Sequence, residues 1–411
     1  MTASWIPALR SLLRSPVITA TIGFAIGGVG FALAQLLFAR ALLTTDFAVV
    51  SLVLAINQVG FSAGTLGIEV PITRHRLAAS RKLLIRTLGC ALPIATATGL
   101  AALLIYRLDF PVALGLAVMV VASTANMVAS ALYRSTQQFL PGLLLTQLQN
   151  YALLLIAGIA LAMRSPSARI IATMIAFAYG IGATIGWRAL RRRDGLLPNH
   201  GPATAHVQEG LLALGFTVAV MIMVQFERLV IPGRLPMSDL ATFSVAAALA
   251  ASPFRMLQIS VGFTLLPRLR SSQSMAQVKR LLLREAAVVA IATMTIAVAV
   301  WLLIPYVLRT FLQGHYAISE SLILAIFAVG IIRIASAFAV ASVQALGETT
   351  DFRNLAASAW LSVLFGGVSG LLGARFGIPG VIYGVGVGWL ALAIASTLIA
   401  FRASIRWVNR H

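Results

Sequence analysis

Three arginines and one glutamate interrupt stretches of the sequence that are otherwise apolar. Arg228 directly follows Glu227, whereas Arg255 and Arg333 each stand alone within their stretch. An arginine near the centre of a lipid bilayer costs at least about 2.5 kcal/mol, so such a residue is expected to face a partner, water or a ligand. Guanidinium stays charged and offers a planar set of donors that matches phosphate and carboxylate. The four residues therefore predict a polar site for an anion within apolar helices.

Three of these positions admit a second interpretation. Arg333 lies eleven residues into its predicted helix, where it either lines a cavity or pairs with a polar neighbour. Arg228 lies near the end of its predicted helix, which favours a side chain that extends to the membrane surface. Glu227 either pairs with Arg228 or lines the cavity.

A proline lies close to the third arginine. Pro253 precedes Arg255 by two residues and cannot donate a backbone hydrogen bond, so it releases the carbonyl of Leu249 and tends to kink the helix. A kink beside a buried charge indicates a binding site. The alternative is a structural kink from which Arg255 reaches the membrane interface.

Uncharged amides supply further candidates. Six of them lie within the predicted helices, namely Gln35, Asn57, Asn126, Gln149, Asn150 and Gln225. We place Gln35, Asn57 and Gln225 in the cavity with the arginines, where they would bond a hydroxyl-rich ligand; hydrogen bonds between helices are the alternative. Glu69 ends the second predicted helix close to Arg74, which indicates either a gate or an ion pair at the interface.

Long apolar helices must position these residues. The chain of 411 residues is 60% hydrophobic and only 10% charged, against about 25% charged in soluble domains. Apolar runs longer than 18 residues can cross a hydrocarbon core of about 30 Å as helices. We therefore predict an all-α polytopic membrane protein with about twelve transmembrane helices, at residues 17–39, 47–68, 87–106, 111–133, 142–163, 170–187, 211–232, 240–266, 286–307, 322–345, 354–373 and 379–401.

The basic residues predict the orientation. The net charge of +20 comes from 31 Lys and Arg against 11 Asp and Glu. With the N-terminus inside, 21 of the 31 basic residues face the cytoplasm, 7 face outwards and the other 3 lie within helices. This bias follows the positive-inside rule. It predicts a bacterial inner-membrane protein with cytoplasmic termini, and it explains the charge without nucleic acid as a partner.

An internal repeat divides the chain. TTDFAVVS (44–51) opens the second helix and MSDLATFS (237–244) opens the eighth; PITR (71–74) and PRLR (267–270) follow at the other ends. The shared order predicts two parallel six-helix lobes, 1–200 and 201–411, with a substrate path between them.

Glycines recur at four-residue spacing in two predicted helices. Gly23 and Gly27 form one such pair, and Gly380, Gly384 and Gly388 form two overlapping pairs. This spacing is typical of closely packed helices. Hinge motion is the alternative.

Several segments, in order along the chain, resemble one family. They are FAIGGVGFALAQLLFARALLTTDFAVVS (24–51), FERLVI (226–231) followed by MSDLATFS, FLQGHYAIS (311–319), QALGETTDFRN (344–354) and RFGIPGVIYG (375–384). The chain resembles the Wzx-type polysaccharide flippases of the MOP superfamily. One departure is Gly-Glu-Thr where members of the family often carry a basic residue.

The resemblance implies a V-shaped, MATE-like bundle with a central cavity. It implies alternating-access transport of an oligosaccharide on polyprenyl diphosphate, for O-antigen or exopolysaccharide synthesis. The expected partners are the lipid-linked oligosaccharide, membrane lipids and the polymerase and glycosyltransferases of the same process. No cofactor is expected, and the coupling ion, proton or sodium, stays open.

Two other functions compete with this one. A drug or cation exporter of the same superfamily would need a cavity that attracts cations, whereas three arginines against Glu227 repel them. A membrane enzyme, such as a polymerase or an acyltransferase, would need a sizeable outer loop or a histidine near a helix at the membrane surface. The outer loops are short and the histidines lie in loops or at the terminus, so we expect no enzyme.

Overall fold

The structure is a computed structural model that describes residues 16–75, 79–136, 138–163, 165–194, 207–270, 272 and 274–408. All of its regular elements in these ranges are helical. The α-helices, in chain order, are α1 Pro16–Ala41, α2 Thr44–Gly64, α3 Glu69–His75, α4 Arg81–Leu104, α5 Phe110–Ser135, α6 Phe139–Ala162, α7 Ala168–Asp194, α8 Val207–Arg234, α9 Met237–Ala246, α10 Ser252–Arg270, α11 Met275–Tyr306, α12 Glu320–Leu346, α13 Thr349–Gly373 and α14 Gly377–Val408. Two π-helical turns, Ala247–Ala251 and Val307–Phe311, and a 3-10 turn, Ala374–Phe376, lie between them.

The helices confirm a multi-pass membrane protein. Within the described residues, ten helical stretches are long and apolar enough to cross a membrane. One of them, Thr349–Arg406, contains both α13 and α14, and α9 and α10 together form another. Adding α1, which has 26 residues, gives twelve crossings in the described part of the chain, as the sequence predicts.

Side-chain caps mark several helix starts. Ser80 Oγ accepts from the backbone N–H of Leu83 at 3.1 Å at the start of α4, and Ser319 Oγ accepts from Leu322 at the start of α12. Each bond satisfies an amide that has no partner within its helix. The polar residues between apolar runs therefore set where helices begin.

The proline in the eighth crossing produces more than a kink. A π-helical turn, Ala247–Ala251, joins α9 to α10 just before Pro253. The backbone N–H of Ser252 bonds to the carbonyl of Ala247 instead of Ala248. Since Pro253 has no N–H, the carbonyls of Ala248 and Leu249 both lose their α-helical donors.

The last two helices pack closely at glycines. A Cβ added to Gly388 would lie 2.5 Å from the carbonyl oxygen of Ser362, and one added to Gly384 would overlap the carbonyl oxygen of Ser369. The close packing predicted from the spacing in α14 is therefore observed. It lets α13 and α14 approach at backbone distance, as small residues do in membrane bundles.

The two halves of the chain are joined by hydrogen bonds near one end of the interface. Ser51 Oγ on α2 bonds Ser244 Oγ on α9 at 2.6 Å, and these serines occupy equivalent positions in the two copies of the repeat. Such a pair is what a two-fold axis between parallel lobes would produce. The Tyr106 hydroxyl also donates to the carbonyl of Leu229. The predicted boundary at residue 200 lies outside the described residues and stays a prediction.

Two stretches of α8 and α10 further along the interface are more exposed to solvent. Residues 213–218 of α8 are all partly exposed, although six consecutive residues cover every face of a helix. Residues 255–260 of α10 are likewise exposed or partly exposed. Both stretches are more exposed than the residues around Ser51 and Ser244, although Gly67 and Gly210 bring the two halves into backbone contact at this end as well.

Candidate functional site

An ion pair lies in the second half of the chain. The Arg333 guanidinium on α12 bonds the carboxylate of Glu227 on α8, and their side chains are 15% and 5% exposed. The Cζ atom of Arg333 also lies 5.1 Å from the centre of the Trp389 ring on α14, a cation–π distance. Arg333 therefore pairs with a polar neighbour, which is one of the two alternatives that the sequence left open for it.

Two further arginines lie beside this pair, and neither forms an ion pair with a carboxylate among the described residues. Arg228 Nη1 donates to Gln225 Oε1 at 3.0 Å, and its Cζ lies 6.0 Å from the centre of the Phe243 ring. Arg255 Nη2 donates to Gln58 Oε1 at 3.2 Å. Gln58 also accepts from the Gln225 amide. Amide oxygens are the only acceptors that these contacts give the two guanidinium groups.

The cluster defined by Gln58, Gln225, Glu227, Arg228, Arg255 and Arg333 carries a net charge of +2 from three arginines and one glutamate. Its donors also exceed its acceptors. Among the described residues, the Nε atoms of Arg228 and Arg333 have no hydrogen-bond partner, and neither does the indole Nε1 of Trp389 beside Arg333; all three atoms are buried. Buried donors without acceptors cost free energy unless water or a ligand bonds them. The cluster is therefore suited to an anion with several oxygen acceptors.

The structure places two side chains elsewhere than the sequence predicts. Arg228 turns into the cluster rather than to the membrane surface, because α8 continues to Arg234 and leaves Arg228 six residues from the helix end. Asn57 faces α5, where it exchanges hydrogen bonds with Ser123. The next residue, Gln58, takes the place that the sequence gave to Asn57.

The remaining amide of the predicted cavity is isolated. Gln35 on α1 is 1% exposed, and neither its Oε1 nor its Nε2 has a partner among the described residues. It is absent from the hydrogen bonds of the cluster. Its burial between helices makes it a candidate for a different role.

The predicted gate residue lies at a contact between the halves. Glu69 opens α3 two residues after Gly67, whose φ of +67° allows backbone contact with Gly210 at the start of α8. Burial raises the pKa of Glu69 above its usual 4.5, opposed by a hydrogen bond from Thr65 and by the charge of Arg134. The side chain of Arg74 lies outside the described residues, and among the described residues the basic charge that acts on Glu69 is that of Arg134 on α5.

Metal ligands do not gather in the part of the chain that the structure describes. No group of three or more histidine, cysteine, aspartate or glutamate side chains comes together there. The acidic residue of the cluster, Glu227, has an arginine as its neighbour.

Solved structures share this fold. An inward-facing MATE multidrug resistance transporter of the MOP superfamily matches with a TM-score of 0.61 at 13% identity, over 95% of this chain and 99% of that one. The MATE multidrug transporter DinF-BH matches with a TM-score of 0.62 at 15% identity, over 97% and 95%. A eukaryotic MATE transporter, AtDTX14, matches at 0.51 and 13%, over 96% and 98%. No protein-family model and no curated protein sequence matches the chain.

The likeness confirms the fold class. The chain has the two-lobe, twelve-helix fold of MATE transporters. The apolar runs and the repeat predict the helices and the two lobes, and the family resemblance implies the MATE-like arrangement. At these identities the likeness concerns the fold alone.

Proposed function

We propose that this membrane protein is a transporter that moves an oligosaccharide linked to polyprenyl diphosphate across a bacterial inner membrane by alternating access. One observation carries the proposal: Arg228 and Arg255 lie where the two halves meet, and among the described residues their guanidinium groups bond amide oxygens and form no ion pair with a carboxylate. A diphosphate supplies the negative charge and the acceptor oxygens that these donors lack.

The charge of the cluster favours an anion over a cation. With a net charge of +2 in a half-buried setting, an anion is attracted and an organic cation is repelled. Gln58 and Gln225 add amide groups that can bond sugar hydroxyls once they release each other. Glu227 limits the affinity by neutralising Arg333, since cargo that is held too tightly would not be released.

The direction of transport follows from the predicted topology. With cytoplasmic termini, the Ser51–Ser244 contact lies towards the outside, and opening of the opposite end of the interface would expose the cluster to the cytoplasm, where lipid-linked oligosaccharides are assembled. Glycosyltransferases that load the cargo and a polymerase that receives it are the expected partners. We propose no enzymatic activity, because the cluster contains neither a nucleophile nor a histidine.

The test is a transport assay with reconstituted protein. Flipping is measured for polyprenyl-diphosphate oligosaccharide and for the same glycan on a polyprenyl chain without phosphate. We expect transport of the charged lipid only, and a loss of at least 10-fold in Arg255→Gln, since a charged hydrogen bond contributes about 1.5–3 kcal/mol. Arg268→Gln is the matched control, because Arg268 lies on the same helix, pairs with Glu285 and is 58% exposed.

Two results would contradict the proposal. Equal transport of both lipids would show that the arginines do not read the charge. Equal loss in Arg255→Gln and Arg268→Gln would show a general effect of removing charge from α10.

The fold likeness to multidrug transporters supports a second candidate, an exporter of amphipathic small molecules. The same proteoliposomes loaded with a cationic dye decide between them. Dye transport that survives Arg255→Gln, without oligosaccharide transport, would establish the second candidate.

A further inference from the structure

Gln35 is a buried polar residue that the proposed cargo site does not use. Its side chain is 1% exposed on a mostly apolar helix, and both of its amide atoms lack partners among the described residues. A buried amide without hydrogen bonds destabilises the state in which it is buried. The structure therefore contains a group that opposes the conformation in which it is found.

The direction of Gln35 follows from helix geometry. Gly28 on the same helix faces α10, because a Cβ placed there would lie 2.5 Å from the methyl carbon of Met256. Gln35 is seven residues further along α1, two turns on and nearly on the same face. Since α1 and the eighth crossing are antiparallel, Gln35 lies level with residue 249 of the opposite half. Contact between α1 and the π-helical turn Ala247–Ala251 agrees with this level.

The backbone of the eighth crossing at this level also lacks part of its α-helical hydrogen bonding. The carbonyls of Ala248 and Leu249 lose their α-helical donors to the π-helical turn and to Pro253. Carbonyls without donors are costly within a membrane unless another group or water bonds them. Gln35 without hydrogen bonds and a backbone that has lost two α-helical donors thus lie at the same level of the interface.

We propose that Gln35 and the π-helical turn shift the conformational equilibrium of the protein towards the state that is open at the Ser51–Ser244 end. Their polar groups gain water when the lobes separate at this end. Closure at this end buries them again. These groups therefore favour the opened state and keep the closed state from becoming a trap in the cycle. This inference goes beyond the proposed function, because it concerns the equilibrium between conformations and holds for any cargo.

The two serines of the interface provide a direct measurement. In a Cys90→Ala background, the rate of disulfide formation in Ser51→Cys/Ser244→Cys reports the closed state, because the two Oγ atoms are 2.6 Å apart. The rate at which a water-soluble maleimide labels Ser51→Cys alone reports the opened state. In rapid exchange, the ratio of the two rates follows the closed-to-open equilibrium whichever state predominates.

Gln35→Met is the variant to compare, since it keeps the volume and removes the amide. We expect the ratio to rise between about 5-fold and 150-fold, the range that follows from removing one unsatisfied buried group. Gln147→Met is the matched control. Gln147 is 4% exposed and lies within one lobe against Gly27 of α1, but its Oε1 accepts from Asn150 at 2.8 Å. Its substitution should leave the ratio unchanged.

A second variant tests the other side of the interface. Pro253→Ala returns a backbone donor to the carbonyl of Leu249 and should also raise the ratio, which keeps the proposal testable if Gln35→Met fails to fold. An unchanged ratio in both variants would show that water already satisfies these groups in the closed state, and the proposal would fall. A lower ratio in Gln35→Met would show that Gln35 stabilises closure, which also overturns it.

Discussion

Removing Arg333 should harm the protein less through lost cargo contact than through the carboxylate it leaves behind. Glu227 is 5% exposed and Arg333 is its ion-pair partner. Removing one partner of a buried pair costs about 3–5 kcal/mol, whereas replacing both together is often close to neutral. We therefore expect Arg333→Gln to lower the free energy of unfolding by that amount, and Glu227→Gln/Arg333→Gln to restore most of it.

Transport should follow the charge of the cluster. The wild-type net charge of +2 falls to +1 in Arg333→Gln and returns to +2 in the double variant, where Arg228 and Arg255 remain. We expect the double variant to flip the diphosphate-linked glycan at a rate close to wild type, and the single variant to be impaired in both stability and flipping. A double-mutant cycle on thermal unfolding in detergent, with flipping in proteoliposomes, measures both quantities.

Two results would contradict this role of Arg333. A double variant that unfolds like the wild type but flips as poorly as Arg333→Gln would mean that Arg333 itself contacts the cargo. A single variant as stable as the wild type would mean that Glu227 is neutralised by a proton or by another group.

Three further predictions concern the fold and the gate. Glu69→Gln should stabilise the protein at pH 7, because burial raises the pKa of Glu69 and its ionisation therefore lowers the free energy of unfolding as pH rises above 4.5. The gain over wild type in thermal unfolding should disappear as pH falls towards 4.5. A gain that does not depend on pH would contradict this explanation. Gly384→Ala should destabilise the protein by about 1–3 kcal/mol through overlap with the carbonyl of Ser369, whereas Gly30→Ala, which meets nothing within 4 Å, should not. A reporter fused after His411 should be active only if it works in the cytoplasm, and activity restricted to the periplasm would reverse the topology.

The helices were predictable because apolar length is a one-dimensional property of the sequence. The proline of the eighth crossing was predictable in kind, since the missing N–H of Pro253 must release a carbonyl. The sequence could not show how the chain would absorb the loss. The backbone inserts a π-helical turn at Ala247–Ala251, which depends on the packing of α1 and α12 around it.

The rotation of α2 was not predictable, and this explains the choice of Asn57 over Gln58. Residues 50–57 are all buried, so the helix has no exposed face from which a hydrophobic stripe could be read. Adjacent residues differ by about 100° around a helix, which sends Asn57 to Ser123 and Gln58 to the arginines. Only the partner helices distinguish the two amides.

The position of Gln58 links lobe movement to the donors of the cluster. Its Oε1 on the first half of the chain accepts from both Gln225 and Arg255 on the second half. A movement of one half against the other must withdraw this acceptor, and the donor of Arg255 then requires another oxygen. If the cargo is the diphosphate proposed above, it supplies that oxygen at the moment the lobes shift. On the proposed function, binding of the diphosphate and the observed bonds of Gln58 would compete for the same donors, so we expect the cargo to promote the movement that carries it.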